Sequence, residues 1–284
     1  MLLSWRYCHC ILELWCGKGS DKMAGVLIDP RRIAGRWALK SAAHVGGISL
    51  FVFELARGLG EWREWYPPAL RQARDIGYGS MFIVFITASF AGAVTILQAG
   101  YQLTAGVPVY FASGVVVSTI ILELGPVLTA LILAGRIGAR FAAELGTMRV
   151  TEQIDALESL GRSSVSHVLL PRVVAATLMV PILCIFSDFI AIFAGWLASK
   201  GAMDMTNADF VYGARYFFKP FYMWYSLIKS VFFGLAIAIV PCYVGFNTSR
   251  GAEGVGRATT GAVVTSSVLI LFLNAFLAKV LLRY

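Results

Sequence analysis

Long apolar runs alternate with short charged ones along the chain, and this alternation predicts its elements. No charged side chain occurs from Ile76 to Leu122, which is enough chain for two membrane spans joined by a turn at residues 100–108. Similar runs predict five transmembrane helices, at about residues 77–99, 109–134, 173–199, 220–246 and 258–278. Residues 33–59 are apolar but interrupted by charges, so they predict an interfacial helix on the membrane surface. The Pro67-Pro68 pair that follows is expected to break any helix there.

A charged, amphipathic segment at residues 136–160 lies between the second and third predicted spans. Its apolar positions 137, 141, 145 and 148 fall on one helical face, and Arg140 and Glu144 form an i,i+4 pair of opposite charge. Leucine and isoleucine then recur at positions 154, 157 and 160. The pattern fits a docking surface for a partner and, equally, a helix lying on the lipid head groups.

The composition is that of a membrane protein. Hydrophobic residues make up 58% of the 284 positions and charged residues 14%, against about 25% charged in a soluble domain. The net charge of +8 comes from basic residues in loops beside apolar runs, so it does not indicate nucleic-acid binding. The positive-inside rule places the loop at residues 136–172 in the cytosol, with the N-terminus on the same side.

Three charged residues fall inside predicted spans: Glu123, Asp188 and Lys229. Charged groups at that depth usually face a bundle interior, a cavity or each other. Counting along a helix from the predicted outer ends places Asp188 about 16 Å deep and Lys229 about 14 Å deep. We therefore expect these two to pair, with Glu123 joining them or lining a cavity. A structural ion pair and a polar lining for a lipid head group both remain open.

Other motifs do not indicate catalysis or a metal site. The sequence contains no G-x-x-x-x-G-K-[ST] nucleotide loop. Ser226-x-x-Lys229 matches a pattern of some hydrolases but lacks the accompanying motifs. The Cys8-His9-Cys10 run fits no standard zinc spacing. We predict no catalytic residue and no metal ligand.

The stretch from Glu123 to Leu157, ELGPVLTALILAGRIGARFAAELGTMRVTEQIDAL, closely resembles the signature of the MlaE/YrbE family. These proteins are the permease subunits of MCE-type lipid ABC transporters. A second block, Cys242 to Val263, is similar to the same family. The resemblance implies an all-α membrane protein with a single permease domain at residues 29–284. Residues 1–28 lie outside it and are expected to be a disordered tail or a mis-annotated start.

The resemblance also implies a function: transport of phospholipid or a related lipid between a bacterial inner membrane and the periplasm or outer membrane. It implies a homodimer with a cytosolic N-terminus, a periplasmic MCE-domain partner, and a separate ATPase that binds ATP and magnesium, so that this chain holds no cofactor. The ATPase is expected to dock on residues 136–160. The candidate coupling residues there are Arg136, Arg140, Glu144, Arg149, Glu152 and Asp155. The alternatives are an ATP-independent lipid scramblase or channel and an intramembrane hydrolase using Ser226 and Lys229.

Overall fold

A computed structural model describes residues 46–47, 49–51, 53–60, 62–102, 108–161, 163–202, 205–249 and 251–281. These residues form helices joined by short loops, and no strand occurs among them. Within these described ranges five helices are long and apolar enough to cross a membrane, as predicted. They are α1 (Trp62–Gln102), α2 (Tyr110–Val150), α4 (Leu170–Ala202), α6 (Pro220–Phe246) and α7 (Ala252–Leu281). Two shorter helices, α3 (Gln153–Ser159) and α5 (Asn207–Phe217), lie in the connections.

Helix α2 carries both the second span and the first part of the charged segment without a break. It contains two π-helical turns, Ile120–Leu124 and Ala134–Gly138. The predicted apolar face is confirmed, because Ile137, Phe141 and Leu145 are buried in the core. The repeat continues to the buried Ile154 of α3, but Leu160 is exposed.

The start of the fold differs from the sequence prediction at one point. Pro67 and Pro68 lie inside α1, so the prediction that they break the helix was wrong. They fall in its first two turns, where they remove only two backbone hydrogen bonds, and α1 continues for more than 30 residues beyond them. Residues 49–51 and 53–58 of the expected interfacial helix are helical; residues 33–45 and the tail at 1–28 lie outside the described residues.

Helices α1 and α4 approach each other at backbone distance. A Cβ added to Gly92 would lie 1.9 Å from the carbonyl oxygen of Ala191, and one added to Gly195 would lie 3.3 Å from that of Gly92. Small residues at a helix crossing allow this close packing in membranes. The close contact at Gly92 lies within an unbroken α1.

Candidate functional site: a buried polar cluster and a charged helix end

The Lys229 side chain of α6 is completely buried at the centre of a polar cluster between helices. Its Nζ donates to three acceptors: the Leu122 carbonyl oxygen at 3.0 Å, Glu123 Oε1 at 2.9 Å and Tyr225 Oη at 3.1 Å. An ammonium group has three protons, so these contacts satisfy all of its donors.

The Leu122 carbonyl can accept from Lys229 because a proline lies four residues later in the chain. Its ordinary helical donor would be the N–H of residue 126, and Pro126 has none. The π-helical turn Ile120–Leu124 directly precedes Gly125 and Pro126. Lys229 therefore donates to a backbone acceptor that has lost its usual i+4 donor.

Glu123 joins three helices through its two carboxylate oxygens. Oε1 accepts from Lys229 and, at 3.3 Å, from the Tyr225 hydroxyl, while Oε2 accepts from Asn274 Nδ2 of α7 at 3.0 Å. The Glu123 side chain is 38% exposed, whereas that of Lys229 is 0% exposed. The carboxylate therefore reaches the surface of the chain and the cation does not. Sequence analysis missed Asn274; the only indication was an amide within an otherwise apolar run.

The predicted pair of Asp188 with Lys229 was wrong. Asp188 of α4 is buried, and its Oδ2 accepts from the Ser226 hydroxyl at 3.4 Å. Its Oδ1 has no hydrogen-bond partner among the described residues and lies 1.6 Å from where a Cβ on Gly125 would be. The counted depths of the two charges agreed, but Ser226 faces Asp188 while Lys229, one turn later, faces α2. The ion pair is formed by Glu123 and Lys229.

The geometry does not favour the hydrolase alternative. Ser226 donates to Asp188, and the three donors of Lys229 go to other groups. The nucleophile-to-base hydrogen bond that such an enzyme needs is therefore not formed in this structure. Among the described residues no group of three His, Cys, Asp or Glu side chains is placed to hold a metal ion.

At the charged end of α2, Glu144 ties the spans together. Its Oε1 accepts from Arg140 Nε at 2.7 Å and its Oε2 from Arg172 Nη2 of α4 at 3.0 Å. Arg140 also reaches Asp75 of α1 at 3.3 Å. Both oxygens of Glu144 are thus engaged inside the chain. Its predicted role in contacting an ATPase remains untested, but the structure gives it a bracing role of its own.

The turn from α2 to α3 places the remaining candidates at the surface. Arg149 forms an ion pair with Asp155 across the turn at 2.5 Å. Glu152, between them, is exposed and adopts a left-handed backbone conformation with φ of 58°. Arg136 lies on another side of α2, against Gly79 of α1. The six candidate coupling residues therefore do not form one patch, and Glu152 and Asp155 are the acidic ones that lie outermost.

Five long apolar helices around a buried ion pair define a multi-pass membrane protein. Residues 69–280 match the family model described as permease MlaE. A probable ABC transporter permease of Rickettsia felis is 36% identical over 91% of this chain and all of its own length. The chain therefore belongs to the MlaE permease family, as the sequence resemblance indicated.

Two further relatives come from Synechocystis sp. and Arabidopsis thaliana. A probable ABC transporter permease of Synechocystis is 40% identical over 74% of this chain and 80% of its own length. The protein TRIGALACTOSYLDIACYLGLYCEROL 1, chloroplastic, of Arabidopsis thaliana is 32% identical over 80% of this chain and 64% of its own length. These similarities point to a transporter subunit rather than an enzyme.

Proposed function

We propose that this protein is the permease subunit of an ABC transporter that moves phospholipid or a related lipid, driven by a separate ATPase. The names of the bacterial relatives support the transporter class, and that of the Arabidopsis relative contains the name of a galactolipid. On this proposal two copies of the chain form the transport unit in a bacterial inner membrane, with cytosolic N-termini and a periplasmic MCE-domain partner. ATP and magnesium bind to the ATPase and not to this chain.

The observation that carries the proposal is the continuity of α2. One helix contains Glu123 of the buried cluster and ends at the exposed turn with Arg149 and Glu152. The 26 residues from Glu123 to Arg149 span roughly 40 Å along a helix. A displacement at the charged end is therefore passed along a single element to the Glu123–Lys229 ion pair. The partly exposed carboxylate of Glu123 provides a polar position beside which a lipid head group can pass.

The ATPase contact is tested by charge reversal at the outermost acidic residues. Glu152→Lys and, separately, Asp155→Lys are expected to lower ATPase co-purification and ATP turnover several-fold while the permease stays folded. The matched control is Asp209→Lys in α5, which reverses an exposed charge in the loop predicted to lie on the far side of the membrane. Normal binding and turnover in both test variants would place the dock elsewhere on the chain.

An assay of lipid movement distinguishes the proposed ABC transporter from an ATP-independent scramblase. The permease alone and the permease with its ATPase are reconstituted in vesicles carrying a fluorescent phospholipid. We expect movement only with the ATPase and ATP. Equal movement by the permease alone would identify an ATP-independent scramblase instead.

A further inference from the structure

A basic cavity of about 630 Å³ lies between α1 and α2, outside the buried polar cluster. Its volume is in the range of small-molecule sites. Four arginines dominate its lining, together with one acidic and one aromatic residue: Arg71, Arg74, Arg136, Arg140, Asp75 and Tyr78.

The charges of this cavity are not balanced by the chain. Asp75 is engaged by Arg140, which is also held by Glu144. In the part of the chain that the structure describes, no carboxylate lies within ion-pair distance of the other three arginines. Four arginines and one aspartate leave the lining with a formal charge of +3. Guanidinium groups present paired donors that match phosphate oxygens, so the lining suits a phosphate group.

The cavity lies where both helices pass from charged to apolar sequence. On α1, Arg74 and Asp75 directly precede the uncharged run that begins at Ile76. On α2, Arg136 directly follows the apolar run that ends at Gly135. Basic residues at such boundaries lie at the level of lipid head groups.

An exposed apolar strip extends from the cavity along α1. Tyr78 borders the cavity and is 85% exposed, and Phe82, one turn further into the apolar run, is 74% exposed. Residues four apart lie on one helical face. The occupant that fits is therefore amphipathic, with an anionic head in the cavity and apolar chains along this face, and free phosphate would leave the strip unused.

The close approach of the Arg136 side chain to α1 also contributes. A Cβ on Gly79 would lie 2.8 Å from Arg136 Nη2, so the glycine allows the guanidinium to lie across α1. Arg136 thereby faces the same cavity as Arg71 and Arg74.

We infer that this cavity binds the phosphodiester head of an anionic phospholipid, with the acyl chains lying along Tyr78 and Phe82. This inference rests on the proposed function in one respect: the bound lipid would be one that the transporter moves or senses. Binding itself requires neither the ATPase nor transport.

The experiment uses the purified full-length permease in detergent, without ATPase, and native mass spectrometry. Phosphatidylglycerol is titrated against wild type, Arg71→Gln with Arg74→Gln, and the control Arg215→Gln with Lys219→Gln. Both double variants remove two exposed basic charges, but the control lies outside the cavity. We expect phosphatidylglycerol to bind about tenfold more weakly to the cavity variant, because charged hydrogen bonds to phosphate are lost, and unchanged to the control.

Two further arms identify the ligand chemistry. Diacylglycerol with the same chains tests the need for phosphate and is expected to bind equally weakly to all three proteins. Inorganic phosphate tests the free ion and is expected to compete only at far higher concentration than the lipid. Phe82→Ser is expected to weaken binding of phosphatidylglycerol and leave competition by phosphate unchanged.

The outcomes distinguish the site from the proposed function. Equal lipid binding in the cavity variant and the control overturns the site and leaves the proposed function standing. Phosphate that competes as well as the lipid shows a free-anion site and also overturns the lipid assignment. If lipid binding is unchanged but a separate co-purification of the same variants shows loss of the ATPase, the lipid site is overturned and the cavity is a protein dock. Loss of lipid binding in the cavity variant alone supports the site even if ATPase coupling fails.

Discussion

The protein should lose less stability when both charges of the Glu123–Lys229 pair are removed than the sum of the losses caused by the two single changes. Lys229→Met leaves a carboxylate that is 38% exposed, whereas Glu123→Gln leaves an ammonium that is 0% exposed. Breaking a buried pair costs about 3–5 kcal/mol, and the more deeply buried orphan lies at the upper end. We expect a loss of about 3 kcal/mol for Lys229→Met and about 4 kcal/mol for Glu123→Gln.

The double variant should lose about 4 kcal/mol, because Lys229→Met also removes the donor to the Leu122 carbonyl, and the coupling energy is then about 3 kcal/mol. The assay is a double-mutant cycle on the free energy of unfolding in mixed detergent micelles. The matched control is the cycle of Asp188→Asn with Lys229→Met, for which we expect near-additive losses because the two side chains bond to different partners, Ser226 and Glu123. Additive losses for Glu123 with Lys229, or strong coupling for Asp188 with Lys229, would refute the assignment of partners.

Three further changes test separate features of the structure. Gly125→Ala should lower the unfolding temperature because its Cβ would meet Asp188 Oδ1, and Asp188→Ala in the same chain should restore most of the loss. Burial and then the charge of Glu158 raise the pKa of Glu54 above its ordinary value of 4.5, so ionised Glu54 destabilises the fold. Stability should therefore fall as pH rises through the folded-state pKa. Glu54→Gln should unfold at a higher temperature than wild type at pH 8, with no difference at pH 4; a constant difference would contradict the shift. Glu152→Gly should relieve the left-handed backbone strain and stabilise by up to about 1 kcal/mol, while Glu152→Val should destabilise.

The spans could be predicted because a membrane imposes a length and a polarity on each helix. Both ends of α6 were predicted correctly, at Pro220 and at Phe246 before the polar residues that follow. The continuity of α2 was harder to predict, because its charged positions look like a loop when only hydropathy is considered. Helix α1 begins before Pro67 and Pro68, contrary to the rule that proline breaks a helix. The rule does not hold here because both prolines lie near the start of the helix.

The charged residues of the site could be predicted, but not which of them form the ion pair. Depth follows from the rise per residue, and it placed Asp188 near the level of Lys229; Asp188 contacts Ser226, one helical turn before Lys229. Pairing depends also on the direction in which each side chain leaves its helix, which is set by packing between spans. The Leu122 carbonyl is a backbone group freed by Pro126, and Asn274 is uncharged, so neither appears in a search for charged side chains.

The Glu123–Lys229 pair has a consequence for the synthesis of the protein. The two residues are 106 positions apart in sequence, so at roughly 5–20 residues per second the acid is made roughly 5–20 s before its cation. For that period α2 has a carboxylate without its cation at membrane depth, and a charged residue at the centre of an inserting helix costs about 2.5–3.5 kcal/mol. Helix α2 must therefore stay beside the insertion machinery, or carry a protonated Glu123, until α6 arrives. The second span gains the cationic partner of its carboxylate only when the fourth one joins it.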